Sequence, residues 1–184
     1  IASDHSETHT GLTLTFGTTT PSYLISTNKT TGAYEVGAEL LCSSGGVNLN
    51  NNARIRGVSF ETATHMRLNA GSNGYQEHYE LTFYGVPAGV AFAWEGIALN
   101  GGNLDGEVTI KLVKCTFDFT NTYAPHKNAY ALITTVSAKA IIQECTFIEA
   151  VGVINTGGAY GMSPPAEIIN CDFSSVNTLS YLVR

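Results

Sequence analysis

The sequence predicts an all-β chain wound as a short right-handed parallel β-helix, a solenoid of about five rungs behind an N-terminal β cap, and three observations carry that expectation. A six-residue pattern recurs along the chain at intervals of 23 to 34 residues. Charged residues are scarce, at 13% against 43% hydrophobic. Gly, Thr, Asn and Ser fill much of the remainder, which suits strands joined by many turns. At 184 residues the chain can bury one core, and a second independent domain is not expected.

The recurring pattern reads Ile55-Arg56-Gly57-Val58-Ser59-Phe60, Leu112-Val113-Lys114-Cys115-Thr116-Phe117, Ile142-Gln143-Glu144-Cys145-Thr146-Phe147 and Ile168-Ile169-Asn170-Cys171-Asp172-Phe173. If one polar corner residue interrupts strict alternation, the aliphatic residue, the Cys or Val, and the Phe all point inward. Gly57 and Asn170 suit a left-handed corner; Lys114 and Glu144 at the same position suit it less well. Phe60 and Phe117 lie 57 residues apart, about two repeats. A degenerate copy, Tyr79-Glu80-Leu81-Thr82-Phe83, fills that gap. Between copies run variable returns whose apolar stretches, such as Tyr130-Ala131-Leu132-Ile133, supply further strands. Repeats of this length belong to stacked architectures.

Residues 1–49 are set apart as an N-terminal cap or an irregular first rung, and residues 50–184 as the β-helix. The segments Thr8 to Phe16 and Tyr34 to Leu41 alternate like strands but lack the Phe pattern. An open solenoid end needs a cover for its edges and apolar side chains. The alternative is an antiparallel β-sandwich, which short strands between turns would also suit. A sandwich, however, has no reason to reuse one side-chain triplet in register.

From Asn50 to about residue 175 this rung pattern resembles the pectin-lyase-like right-handed parallel β-helix superfamily. That superfamily includes polysaccharide lyases and hydrolases, bacteriophage tail spikes, adhesins and viral capsid-associated proteins. The resemblance implies the fold and carries over no functional residue.

Cys115, Cys145 and Cys171 share one repeat position and are expected as an inward column of free thiols. Parallel side chains on rungs about 4.8 Å apart make poor disulfide geometry. Reduced cysteines fit folding in a cytoplasm, as for virion components, better than export.

Carboxylates on neighbouring rungs can act as a general acid and base pair, so Glu61, Asp118 and Glu149, which follow the Phe by one or two residues, are the catalytic candidates. His5, Glu7 and His9 fall on one face of an extended strand and are the metal candidates, against the plainer expectation of a solvated arm. His65, His78 and His126 sit in the returns, where solvent-facing or structural roles are expected. Aromatics with a polar edge suit glycan stacking or an interface. Among Tyr75, Tyr79, Tyr84, Trp94, Tyr123, Tyr130 and Tyr160, the ligand-binding candidates are Tyr84, Trp94, Tyr123 and Tyr160.

The net charge of -6 and scattered basic residues argue against nucleic acid, and no apolar run is long enough to span a membrane. No cofactor is expected. The N-terminus lacks Met and a signal pattern, so the chain is expected to be processed or excised. The apolar ending Leu179-Ser180-Tyr181-Leu182-Val183 predicts a cover from a larger parent or a neighbouring subunit. These features favour a non-enzymatic structural or host-attachment protein of a virion surface: a tail spike, fibre or capsid-decoration component. Such a protein would self-associate as a trimer or larger array, or join other virion or surface subunits, and could bind a glycan. The alternatives are a fragment of a secreted polysaccharide lyase or hydrolase and a cell-surface adhesin. The expected location is the virion surface or the extracellular space.

Overall fold

The structure, a computed structural model, describes residues 1–62, 64, 66–71, 74–84, 97–100, 108–120, 130–134, 138–149, 152–155, 166–175 and 181–183. Among them the chain forms strands and no helix. The first six are β1 (Ser6–His9), β2 (Leu12–Thr15), β3 (Ser22–Ile25), β4 (Ala38–Cys42), β5 (Val47–Asn50) and β6 (Ala53–Arg56). Then come β7 (Val58–Thr62), β8 (Met66–Asn69), β9 (Tyr75–Tyr79), β10 (Thr82–Tyr84), β11 (Ile97–Asn100) and β12 (Val108–Val113). The remainder are β13 (Thr116–Asp118), β14 (Tyr130–Thr134), β15 (Ala138–Gln143), β16 (Thr146–Ile148), β17 (Gly152–Asn155), β18 (Ala166–Ile169), β19 (Asp172–Ser175) and β20 (Tyr181–Val183).

Successive strands enter three sheets in rotation. The first sheet has the order β1-β4-β7-β10-β13-β16-β19, the second β2-β5-β8-β11-β14-β17-β20, and the third β3-β6-β9-β12-β15-β18. Each strand from β1 to β17 pairs in parallel with the third strand after it, so the strands of the other two sheets form the crossover that parallel pairing needs. The antiparallel sandwich does not hold: every strand pair among the described residues is parallel, and only an isolated Thr27–Tyr34 bridge runs antiparallel. The triplet recurs in register because equivalent positions pair directly, Phe60 with Phe83, Phe83 with Phe117 and Phe117 with Phe147.

Inward side chains build one core from all three sheets. The rings of Phe60, Phe83, Phe117, Phe147 and Phe173 stack in sequence, with centroids 6.3, 5.0, 4.6 and 5.2 Å apart. Leu14, Leu49, Leu68 and Leu99 form a matching column in the second sheet. Strand alternation accounts for both: in Val47-Asn48-Leu49-Asn50 the apolar residues are buried and the Asn residues half-buried.

Between the third and first sheets, one residue turns the corner. Gly57, Glu80, Lys114, Glu144 and Asn170 all adopt left-handed backbone, with φ of 71°, 53°, 54°, 53° and 51°. Lys114 and Glu144 therefore accept a conformation their side chains disfavour. The first four corner amides donate to the next circuit: Gly57 to Tyr79 O, Glu80 to Val113 O, Lys114 to Gln143 O and Glu144 to Ile169 O. Directly after the corner, Cys115, Cys145 and Cys171 are free and donate to backbone carbonyls of the preceding circuit. Cys145 lies beside Cys115 and Cys171 beside Cys145, and these contacts, with burial, push the thiol pKa values of Cys145 and Cys171 above the ordinary range. Such thiols are poor nucleophiles.

Residues 1–49 join the same scheme. Strands β1, β2 and β3 pair in parallel with β4, β5 and β6. With them, the described strands make six passages through the three sheets plus the two strands β19 and β20, where the Phe pattern alone counts five. The two additional passages escaped that count because Leu40 in β4 and Glu7 in β1 stand where later strands have Phe. At this end Glu7 lies over Leu40 and His9 over Cys42, so polar side chains close the inward columns.

Candidate functional site

Two grooves lie on the outer face of the third sheet and its adjoining corner. Four successive strands of that sheet, β3, β6, β9 and β12, supply the residues of the face. Tyr23, Arg54, Glu77 and Lys111 occupy one outward column, and Ile25, Arg56, Tyr79 and Val113 the next. Alternation forces this, because their neighbours Leu24, Ile55, His78 and Leu112 point inward.

Two adjoining grooves run along this face. One, of about 260 Å³, is lined by Tyr23, Ile25, Arg54, Arg56, Glu77 and Tyr79, with Ile55 beneath. The other, of about 360 Å³, is lined by Arg56, Tyr79, Glu80, Val113, Lys114 and Glu144. Tyr23 is 67% exposed and Ile25 38%. Tyr34 and Val36, on the loop between β3 and β4, are also exposed.

Charged groups on this face are matched. Arg56 Nε lies 3.0 Å from Glu80 Oε2 while its guanidinium sits 3.9 Å from the centre of the Tyr34 ring. Tyr34 donates its hydroxyl to the same Glu80 oxygen. Lys111 Nζ lies 3.3 Å from Glu77 Oε1, which also accepts from the Tyr79 hydroxyl. The Arg54 guanidinium lies 4.4 Å from the Tyr75 ring centre and donates to the carbonyls of Ala53 and Tyr75.

These contacts set the protonation states. The Tyr34 hydrogen bond, with Arg56, holds Glu80 below the usual carboxylate range despite partial burial. Burial raises the Glu77 pKa, but the Tyr79 hydroxyl and Lys111 outweigh it and bring the carboxyl below its ordinary value. The phenols respond in the opposite sense. Burial and Glu80 lift Tyr34 to about 12, and the Glu77 hydrogen bond with burial lifts Tyr79 to about 12. Ionised carboxylates and neutral phenols are thus stabilised across the neutral range, which suits binding and leaves Glu77 and Glu80 ill placed to act as general acids.

The catalytic candidates lie elsewhere. Glu61 and Asp118 share an outward column of the first sheet, with Tyr84 between them. Two strand spacings, about 9.6 Å, separate their backbones. Burial, then Glu39, raises the Glu61 pKa. Asp118 Oδ1 accepts from the Thr120 amide, a turn contact. Glu149 lies one residue beyond that column, since Ile148 pairs with Asp118, and it takes a left-handed φ of 53°. Neither groove includes these three residues.

Of the ligand-binding candidates, Tyr84 is half-buried in the same column, while Trp94, Tyr123 and Tyr160 lie outside the described residues, as do His65 and His126. His5, Glu7 and His9 do come together: Glu7 Oε2 is 3.2 Å from His5 Nε2 and 3.5 Å from His9 Nε2. One carboxylate oxygen thus lies close to two imidazoles, yet no set of three or more His, Cys, Asp or Glu side chains among the described residues is arranged to hold a metal ion.

Sequence reasoning missed Tyr23, Tyr34, Arg54, Arg56, Glu77 and Glu80. The available signal was the run of outward-facing alternate residues Arg54-x-Arg56 and Glu77-x-Tyr79, whose partnership depends on register. No family model, curated protein or solved structure matches the chain.

Proposed function

We propose that the chain is a right-handed parallel β-helix serving as a non-enzymatic structural or attachment element of a virion surface, such as a tail spike, fibre or capsid-decoration component. Its working form is a trimer or larger array, alone or with other surface subunits, at the virion surface or in the extracellular space. The fold reading is supported by the rotation of strands through three parallel sheets and by the stacked Phe rings. The non-enzymatic reading rests on one observation above all: the groove carboxylates Glu77 and Glu80 are tied into pairs with Lys111 and Arg56. The free thiols, of which Cys42, Cys115 and Cys145 are buried and Cys171 partly so, agree with folding in a reducing compartment.

Two measurements test the reading. Antibody against the chain should label purified particles or filaments, and purified protein should release no reducing ends from acidic or neutral polysaccharides. Turnover that is lost on Glu61→Gln, Asp118→Asn or Glu149→Gln would replace it with a polysaccharide-processing enzyme. Light scattering should give a mass several times that of the 19.5 kDa chain, and a stable monomer would remove the assembly claim.

A further inference from the structure

The third sheet presents an exposed aromatic ring, fixed donors and fixed acceptors in a groove that runs across successive circuits. Equivalent positions there repeat at the strand spacing of about 4.8 Å, so a linear polymer lying along the stack meets Tyr23, Arg54, Glu77 and Lys111 in turn. The charge pattern discriminates between polymers. Arg56 is matched by Glu80, Lys111 by Glu77, and Lys114 by Glu144 at 3.8 Å, so a polyanion placed here meets a carboxylate beside each of these cations. Among the described residues Arg54 has no carboxylate within ion-pair distance, and it is engaged by the Tyr75 ring and backbone carbonyls. A hydroxyl, by contrast, accepts from a guanidinium or ammonium and donates to a carboxylate at one site. The Tyr23 ring, exposed at the groove wall, offers an apolar face for the C–H surface of a sugar ring.

We propose that these grooves bind a neutral oligosaccharide laid along the stacking direction, with Tyr23 as the stacking platform and the Arg56–Glu80 and Lys111–Glu77 pairs as its hydrogen-bonding partners. The site rests on the reading of the chain as an attachment element and gives that element its ligand class. It lies on a different face from Tyr84, which belongs to the outer column of the first sheet. A second copy of the chain is the competing occupant of the same patch, because Ile25 adds exposed aliphatic surface to it.

Affinity electrophoresis through gels containing dextran, galactomannan, mixed-linkage β-glucan or polygalacturonate tests the proposal, with the full chain and its variants. At least one neutral polymer should retard the protein, with little dependence on salt, and polygalacturonate should not. Tyr23→Ala should weaken retention about tenfold while leaving thermal unfolding and mobility in a sugar-free gel unchanged. Tyr84→Ala should leave retention intact. Retention by polygalacturonate alone, equal retention of the Tyr23→Ala variant, or loss confined to Tyr84→Ala would each overturn the site. So would a Tyr23→Ala variant that dissociates an oligomer when the parent binds no sugar. Absence of retention by every neutral polymer, with the fold intact and no reducing ends released, overturns the groove and leaves the attachment reading standing. Release of reducing ends overturns the non-enzymatic reading, and the groove then stands or falls on Tyr23→Ala.

Discussion

Two inward columns run side by side through this molecule and solve the same problem differently. In the first sheet, Phe60, Phe83, Phe117 and Phe147 repeat one side chain, each almost wholly buried and stacked on the next. In the third, the column Leu24, Ile55, His78, Leu112, Ile142 and Ile168 is aliphatic except at one layer. There the fully buried His78 sits beside the fully buried Gln76. Gln76 Nε2 donates to Leu49 O and Asn51 O, each at 2.9 Å, and its Oε1 lies 3.0 Å from His78 Nε2. His78 Nδ1 is buried without a partner. An identical stack needs only dispersion and shape to hold it, whereas the polar layer must satisfy its own hydrogen bonds and leaves one group unmet.

The difference is open to experiment, beginning with the largest effect. Phe117→Ala opens a cavity in the middle of the ring stack and should lower unfolding free energy by about 3–5 kcal/mol in urea. Loss below about 1 kcal/mol would mean that the rings are not close-packed.

Acid acts on the other column. Burial, with a smaller contribution from Arg54, pushes the His78 pKa down to about 3. The unfolded imidazole, with a pKa near 6.5, binds its proton first, so stability falls as pH drops below about 6.5 and keeps falling toward the folded value. The limiting slope is about 1.4 kcal/mol per pH unit. Glu77 and Glu80, with depressed values, contribute stability that is lost only at lower pH, through and below the ordinary carboxylate range. Between about pH 4.5 and 6.5 the His78→Leu variant should therefore show a flatter stability profile than the parent. Equal slopes would place the imidazole in contact with water.

Corner substitutions should have smaller effects. Lys114→Gly relieves a left-handed conformation at φ 54° and should raise stability by up to about 1 kcal/mol, less the backbone entropy glycine adds. Gly57→Ala should do the reverse, because at φ 71° its Cβ would stand 2.9 Å from Tyr34 Cε2. Least affected should be the Tyr84→Ala variant, within about 1 kcal/mol, since its half-buried side chain lies outside both columns.

What the sequence made legible follows the same division. The Phe and Cys positions announced their stacking because each layer reuses the same residue at the same offset. The corner was legible from Gly57 and Asn170, and the structure extends it to Glu80, Lys114 and Glu144, whose amides are held by the next circuit. The polar layer was not legible: Tyr75-Gln76-Glu77-His78-Tyr79 alternates with its polar amide and imidazole inward and its aromatic rings outward, the inverse of the usual strand pattern. His78, expected in a return as solvent-facing or structural, proves structural and lies within β9. The groove was hidden for a different reason. Tyr23, Arg54 and Glu77 are more than twenty residues apart in the chain, and only strand register makes them neighbours.

The stack itself can be tested by nuclear Overhauser contacts in protein carrying selectively labelled Phe. Ring-to-ring contacts should link Phe83 to Phe117 and Phe117 to Phe147, whose centroids lie 5.0 and 4.6 Å apart, with none between Phe83 and Phe147. Missing ring contacts, together with close Hα–Hα contacts between β13 and β16 of the kind antiparallel strands give, would contradict it.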